Sequence, residues 1–241
     1  MKIFTLLLIM ANLIPLSDDK KPFVTADGSI SYYNLTYCEA YHAKSIGAYT
    51  ESLHKYVYAS GILDLLYKRP VWLLDICFGL GYNIAVLINE YLKNANLHKL
   101  NILSIEKDPG TVELVKKMHF LWPVNAYKIL RKLLDNGNYQ DISLNLIMDD
   151  LIYVLQYLDF QFDIIFFDPF SKHKNPEIWN TYVFKRLYSL LKYDGNIVTY
   201  ACSKKIRHEF HKSGFLSYNT ENLPSGFQKG TLLKKYPMLP E

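Results

Sequence analysis

Val71-Trp72-Leu73-Leu74-Asp75-Ile76-Cys77-Phe78-Gly79-Leu80-Gly81-Tyr82-Asn83 is the stretch whose reading decides the fold. Its first six residues form a near-continuous apolar run that ends in glycines, the pattern of a strand buried on both faces of a parallel sheet. Directly after it, Tyr82–Lys93 carries Ile84, Val86, Leu87, Ile88, Tyr91 and Leu92 at helical spacing. The same rhythm continues outward. Asn101–Glu106, Leu144–Met148, Phe162–Asp168 and Asn196–Cys202 read as strands. Gly110–His119, Pro176–Leu191 (with Pro in its first turn) and Lys204–Ser213 (stopped by Gly214) read as helices. Alternating strands and helices with apolar strands predict an α/β fold, a mostly parallel sheet with helices on both faces. Residues 1–70 lack this rhythm. Their Tyr-, His- and Glu-rich stretch, Tyr32–Tyr58, reads as a small helical or irregular N-terminal cap. The expected organisation is an extension over 1–22, a cap over 23–70 and the α/β domain over 71–241.

Composition bounds the remaining possibilities. Of 241 residues, 50% are apolar and 21% charged, which excludes a disordered or fibrous chain and is ample for a core. Three scattered cysteines (Cys38, Cys77, Cys202) make neither a disulfide framework nor a zinc site, and no His, Cys or Asp spacing suggests a metal. The run Ile3–Leu16 after Lys2 resembles a leader but has no small-x-small cleavage pair. It is also shorter than the ~20 residues of a membrane span. A cytoplasmic protein with no membrane association is expected. The net charge of +4 lies in the last 39 residues, where Lys204, Lys205, Arg207, Lys212, Lys229, Lys234 and Lys235 face only Glu209, Glu221 and Glu241. Such a basic end is either a solvated terminus or a surface for a polyanion.

In sheets of this kind ligands bind beyond the C-terminal strand ends, at the topological switch point. There, Gly79 and Gly81 allow a tight turn, with the free N–H groups of a helix behind them. Glu106 ends the following strand, 25 residues beyond Gly81, where a carboxylate can accept ribose hydroxyls. A dinucleotide fingerprint requires a small residue at position 84, which is Ile84. S-adenosyl-L-methionine carries no phosphate and needs no such residue. Asp149-Asp150, after the strand at Leu144–Met148, places an acid where an adenine amino group would lie. Three such features in order favour S-adenosyl-L-methionine over a nicotinamide dinucleotide, within a Rossmann-like methyltransferase fold.

The strand at Phe162–Phe167 ends in Asp168-Pro169-Phe170-Ser171, close to the Asp-Pro-Pro-aromatic element of methyltransferases that act on exocyclic amines. An amine attacks a methyl sulfonium in line, with its lone pair free. A carboxylate can take its proton while a flat aromatic ring positions the base. Asp168 is the candidate proton acceptor.

The segment from Asp168 to Trp179 (DPFSKHKNPEIW) resembles the Asp-x-Phe-x-Pro-x-Lys-Asn-Pro-x-x-Trp signature of the MnmC/MnmD family. Further segments agree with that family: Thr25-Ala26-Asp27-Gly28-Ser29; Glu39-x-Tyr41-His42 with Gly47-Ala48 and Glu51-Ser52; and Asp75-x-x-Phe78-Gly79-x-Gly81-x-Asn83. Gly214-Phe215 and Gly226-Phe227-Gln228-Lys229 also fit, so the resemblance runs from about Phe23 to Leu233. Position 169 is Pro where the family often has Ala, and Asp149 stands where Gly is common. The resemblance implies transfer of a methyl group to the 5-aminomethyl group of (2-thio)uridine at the tRNA wobble position. It also implies a stand-alone enzyme without the FAD-dependent oxidase domain of bifunctional members. By the same resemblance Asp75, Phe78, Gly79, Gly81, Asn83, Glu106, Asp149 and Asp150 line the cofactor site. Glu39, Tyr41, Glu51, Pro169, Phe170, Lys174, Asn175, Trp179 and Lys229 lie on the substrate side, and tRNA is the partner. The readings weighed against it are an aminopropyltransferase of the spermidine synthase type, another nucleic-acid amino-methyltransferase and a non-catalytic binding module. The run Lys172-His173-Lys174 counts against the first of these.

Overall fold

The apolar run Val71–Ile76 lies inside an eight-stranded sheet with a parallel neighbour on each side. The computed structural model describes residues 19–117, 123–221 and 223–236. The apolar run Ile3–Leu16 and the helix end expected at His119 lie outside them. The chain begins with β1 (Lys20–Val24), β2 (Ile30–Asn34) and β3 (Glu39–Ala40). α1 (Ala48–Glu51), a π-helical segment (Ser52–Tyr58) and α2 (Ile62–Leu66) follow. The main alternation is β4 (Val71–Ile76), α3 (Tyr82–Lys93), β5 (Leu100–Glu106), α4 (Pro109–Lys117), α5 (Val124–Asn136), β6 (Asn138–Tyr139) and β7 (Ile142–Met148). After these come α6 (Leu151–Tyr157), β8 (Phe162–Phe167), α7 (Thr181–Leu190), β9 (Leu191–Thr199), α8 (Lys204–Lys212), β10 (Phe215–Asn219) and β11 (Thr231–Lys235).

The sheet order is β10-β11-β9-β8-β4-β5-β7-β6. β4, β5, β7, β8 and β9 run parallel, and β6, β10 and β11 add antiparallel edges. All six residues of β8 are buried, as is β4 except for Trp72. Helices cover both faces, and one apolar cluster lies on each side of the sheet. Each fully buried Leu, Ile or Phe side chain contributes on the order of 1.5–3 kcal/mol. α3 is apolar almost all round and almost wholly buried, as a helix wedged between the sheet and the cap must be.

Several elements differ from the sequence reading, each for a physical reason. The helix expected from Pro176 begins at Thr181, because Asn180 caps it by accepting from the Val183 N–H (3.1 Å). The residues before it form turns, fixed where the Trp179 Nε1–H donates to the Phe170 carbonyl (2.6 Å). β9 starts at Leu191 rather than Asn196, with an irregular register at its junction with β8. It ends at Thr199, and the Thr231 hydroxyl then donates to the Ala201 carbonyl (2.6 Å). α5 was not anticipated, although Ala126, Tyr127, Ile129, Leu130 and Leu133 bury one helical face.

The first region is not simply helical or irregular: β1, β2 and β3 form a three-stranded antiparallel sheet. Asp27 ties this sheet to α1. Its carboxylate accepts from Thr25 and Ser29 on one side and from the Thr50 N–H and hydroxyl on the other (2.6–3.0 Å). Burial would raise the Asp27 pKa, but the hydrogen bonds from Ser29 and Thr50 outweigh it and hold it below the usual carboxylate range. Gly47 passes so close that a Cβ would sit 1.9 Å from Asp27 Cγ, and its φ of +122° is open to glycine alone. The Thr25–Ser29 and Gly47-Ala48 motifs are therefore the knot that builds the cap.

Candidate active site

Strand order reverses around β4, which has β5 and β7 on one side and β8 and β9 on the other. The loops after β4, β5, β7 and β8 meet there, as the switch-point rule requires. They form one wall of a cavity of about 680 Å³; the cap forms the other. That volume lies within the roughly 300–1,000 Å³ common for small-molecule sites.

On one half of the cavity the turn Cys77–Gly81 faces Glu106. The Glu106 carboxylate accepts from the Gly79 N–H (2.8 Å) through Oε2, and from the Lys107 and Asp108 N–H groups (2.9 and 2.8 Å) through Oε1. Burial raises its pKa, against the pull of these three bonds. Three of roughly four acceptor positions are thus occupied, leaving one on Oε2 for a ligand hydroxyl. Gly81, at φ +70°, starts α3, and a Cβ there would meet the Phe78 ring at 2.8 Å and Leu130 at 2.9 Å. The two acids after β7 differ. Asp150 is committed: Oδ1 caps α6 through the Ile152 N–H (2.9 Å), and Oδ2 pairs with Lys107 Nζ (2.7 Å). The Lys107 contact holds its pKa below the usual carboxylate range. Asp149 keeps an exposed carboxylate on the cavity wall.

On the other half stands Asp168. The Tyr56 hydroxyl donates to Oδ1, and Asn83 Nδ2 donates to Oδ2 (2.8 Å). Burial pushes its pKa up to about 7, assisted by the nearby Glu51 charge and opposed by Tyr56, Asn83 and Lys55. Glu51 and Lys55 form a buried ion pair (2.7 Å) on the same wall. Phe170 lies against Tyr37 (ring centroids 4.7 Å apart, 28° between planes) and Tyr41 (5.0 Å). Its loop is held from behind by Trp179, and the Tyr200 hydroxyl donates to the Pro169 carbonyl (3.1 Å). Glu39 fastens the cap to this loop, accepting from the Ser171 hydroxyl (2.6 Å) and N–H (3.1 Å).

Of the residues singled out from sequence, Glu39, Tyr41, Glu51, Phe78, Gly79, Asn83, Glu106, Asp149, Asp150, Asp168, Pro169, Phe170 and Asn175 line the cavity together. Asp75 is placed behind it: 1% exposed, it accepts from the Ser104 hydroxyl (2.8 Å), and burial raises its pKa to about 7. Gly81, Lys174, Trp179 and Lys229 stand outside the wall described here; Trp179 is buried beneath Phe170, and Lys229 is exposed next to Gln228, which does line it. Sequence reasoning missed Tyr56, Lys55, Tyr37 and Tyr200. Tyr37 and Tyr56 lie in the Tyr-rich stretch, but with 20 Tyr in the chain nothing in their spacing marks them out. Among the described residues no group of three or more His, Cys, Asp or Glu is placed to hold a metal ion.

Comparison with known proteins agrees with this geometry. Residues 109–226 match the model of a family described as S-adenosyl-L-methionine-dependent methyltransferase. The crystal structure of MnmC2 from Aquifex aeolicus superposes with a TM-score of 0.81 at 29% identity, over 94% of this chain and 74% of that one. The tRNA 5-methylaminomethyl-2-thiouridine biosynthesis bifunctional protein MnmC of Campylobacter hominis is 28% identical over 175 residues, 69% of this chain and 26% of that protein. An uncharacterised protein of Methanocaldococcus jannaschii is 27% identical over 222 residues, 88% of this chain and 59% of that one. This chain spans about a quarter of the length of the bifunctional relatives it matches. A parallel sheet with a glycine turn and strand-end acids at its switch point, joined to these likenesses, defines an S-adenosyl-L-methionine-dependent methyltransferase. Within that class the chain is an MnmC-like methyltransferase domain.

Proposed function

We propose that the chain methylates the 5-aminomethyl nitrogen of (2-thio)uridine at the tRNA wobble position, giving 5-methylaminomethyl-(2-thio)uridine, and that it works in the cytoplasm. The observation that carries this reading is Asp168: a carboxylate with a pKa near 7, set in the same cavity as the glycine turn and Glu106. The relatives named for tRNA 5-methylaminomethyl-2-thiouridine biosynthesis support the choice of substrate. No helix among the described residues is long and apolar enough to cross a membrane.

The residues present fit the cofactor. Glu106 offers its remaining acceptor position to a ribose hydroxyl, and Asp149, rather than the committed Asp150, offers a carboxylate to the adenine amino group. S-adenosyl-L-methionine, when bound, supplies an electrophilic methyl group on a sulfonium. The chain's own residues manage the amine. An aliphatic amine is mostly protonated at neutral pH, and Asp168 takes the proton that must leave before the nitrogen lone pair is free. Tyr56 and Asn83 fix the Asp168 carboxylate while it does so. Phe170, backed by Trp179 and flanked by Tyr37 and Tyr41, gives the uracil ring a flat surface. We assign the cap to 20–70, since β1 starts at Lys20 rather than at the expected residue 23, and the catalytic domain to 71–241.

The basic end supports an RNA partner in part. Arg207 is spent inside the fold, donating to Asn219, Thr231 and the Gly230 carbonyl. Lys204, Lys205 and Lys212 stay exposed on α8, beside the cavity loop through the Lys172–Glu209 ion pair (2.5 Å). Those three lysines are the proposed phosphate contacts. The test is methyl transfer from labelled S-adenosyl-L-methionine to tRNA bearing the 5-aminomethyl group, with putrescine and DNA as parallel acceptors. Label on the wobble amine of the tRNA is expected. Label on putrescine or DNA, with none on that tRNA, overturns the proposal.

A further inference from the structure

We propose that Tyr56, supplied by the cap, is a positioning residue for Asp168: its hydroxyl donates to one carboxylate oxygen and so holds Asp168 in the charged form that accepts a proton. This rests on the reading of Asp168 as the proton acceptor. Tyr56 comes from the π-helical segment Ser52–Tyr58, a wide turn of a kind that recurs at functional sites. It is 1% exposed, and its ring packs edge-on against Phe166, at the end of β8 and two residues from Asp168. The Tyr200 N–H donates to the same hydroxyl oxygen (3.3 Å), so the hydroxyl proton is directed at Asp168 Oδ1. Burial, then the Asp168 charge, pushes the Tyr56 phenol well above its ordinary range, so it serves as a donor throughout the working pH range.

The clamp has two sides from different elements, Tyr56 from the cap and Asn83 from α3. Other titratable groups also face Asp168. Glu51 and Lys55 come from the end of α1 and the π-helical segment. Asp75 and Cys77 come from β4 and its turn, and Tyr200 from the segment after β9. Glu51, Asp75 and burial oppose the charged carboxylate, and Lys55 is offset by its pairing with Glu51. Tyr56 and Asn83 are the hydrogen-bond donors that restore it. Removing a donor to a charged group raises the pKa of an acid. The docked cap therefore does more than wall the cavity, because its Tyr56 sets the pH at which the sheet's acid becomes a base.

The experiment is a pH titration of the full chain labelled with carboxyl-¹³C aspartate, followed by NMR, with Asp168→Asn identifying the signal. Tyr56→Phe is expected to raise the Asp168 midpoint by about one to two pH units. The pH midpoint of methyl transfer should move by the same amount, with a high-pH plateau within several-fold of wild type. An unmoved midpoint overturns the proposal, as does a uniform loss of rate at all pH values with the midpoint in place. Should Tyr56→Phe fail to fold, 3-fluorotyrosine at position 56 keeps the shape and strengthens the donor. It should lower the midpoint, and an unmoved value is again a refutation. If Asp168→Asn leaves the pH dependence of methyl transfer intact, the reading of Asp168 as the base fails, while the NMR titration still decides the role of Tyr56.

Discussion

The sheet wall of the cavity and its cap wall hold their acids differently. On the sheet side Glu106, Asp149 and Asp168 stand at or just after the ends of β5, β7 and β8, so the register of buried parallel strands fixes where each one points. On the cap side Glu39 and Glu51 reach the same space, and the buried Tyr56 reaches Asp168 beside it, through tertiary ties: the Asp27 knot, the Glu39–Ser171 clasp and a π-helical turn. A rigid sheet suits groups that must sit within a few tenths of an ångström of a reacting atom. A docked cap suits groups that close the site and tune it. Substitutions on the sheet wall should therefore act on turnover, and those on the cap wall on binding and pH response.

The largest effect expected is that of Asp168→Ala. It should cost on the order of 10²–10⁴-fold in kcat while calorimetry shows S-adenosyl-L-methionine binding close to wild type. A rate near wild type would move the base elsewhere and erase the contrast between the walls. Gly47→Ala comes next. It drives a Cβ into the Asp27 carboxylate and strains a left-handed backbone, so it should destabilise by at least about 1–3 kcal/mol. KM should rise more than kcat falls, as thermal unfolding and steady-state kinetics would report. Replacing Lys204, Lys205 and Lys212 together with Gln should lower the slope of log affinity for tRNA against log salt by about 2–3. An unchanged slope would make α8 a merely solvated face. Glu39→Gln keeps one acceptor for Ser171 and should raise KM only a few-fold.

Asp75 gives the smallest and most specific effect. Burial, with the Asp168 and Glu106 charges, raises its pKa to about 7 against an ordinary carboxylate value near 4. The folded chain therefore binds a proton that the unfolded chain has lost between those values, and stability should fall as pH rises from about 4 to 7. Asp75→Asn should reduce that slope in thermal unfolding measured across the range, leaving the share due to Asp168, whose pKa is raised as far, without a comparable loss of turnover. An unchanged slope would assign the pH dependence to the cavity acids instead.

The sheet wall could be read from sequence because short, mostly apolar runs that lead into Gly or end in Glu or Asp mark both the strand and the strand end. Glu106 and Asp168 were found that way, and Ile84 separated the cofactor classes. The cap wall was hidden because its strands are short: β1 carries Pro22, β3 has two residues, and their pairing depends on contacts from Asp27 to Thr50, 23 residues away. Tyr56 could not be picked from 20 tyrosines, since its role is fixed by a partner 112 residues on. Resemblance placed Glu39 and Trp179 near the substrate, and the structure shows what they touch, a serine and a backbone carbonyl of the Asp168 loop. The N-cap Asn180 likewise overrode Pro176 as the start of α7, a contest that local spacing does not resolve.

The most direct test of the central claim is the pH dependence of kcat/KM for methyl transfer to tRNA carrying the 5-aminomethyl group, measured for wild type and Asp168→Asn side by side. With Asp168 as the proton acceptor, the wild-type rate rises through a midpoint near 7. In the Asp168→Asn variant that limb disappears, and what activity remains rises only toward the pKa of the free amine. Coincident profiles for the two proteins would contradict the account.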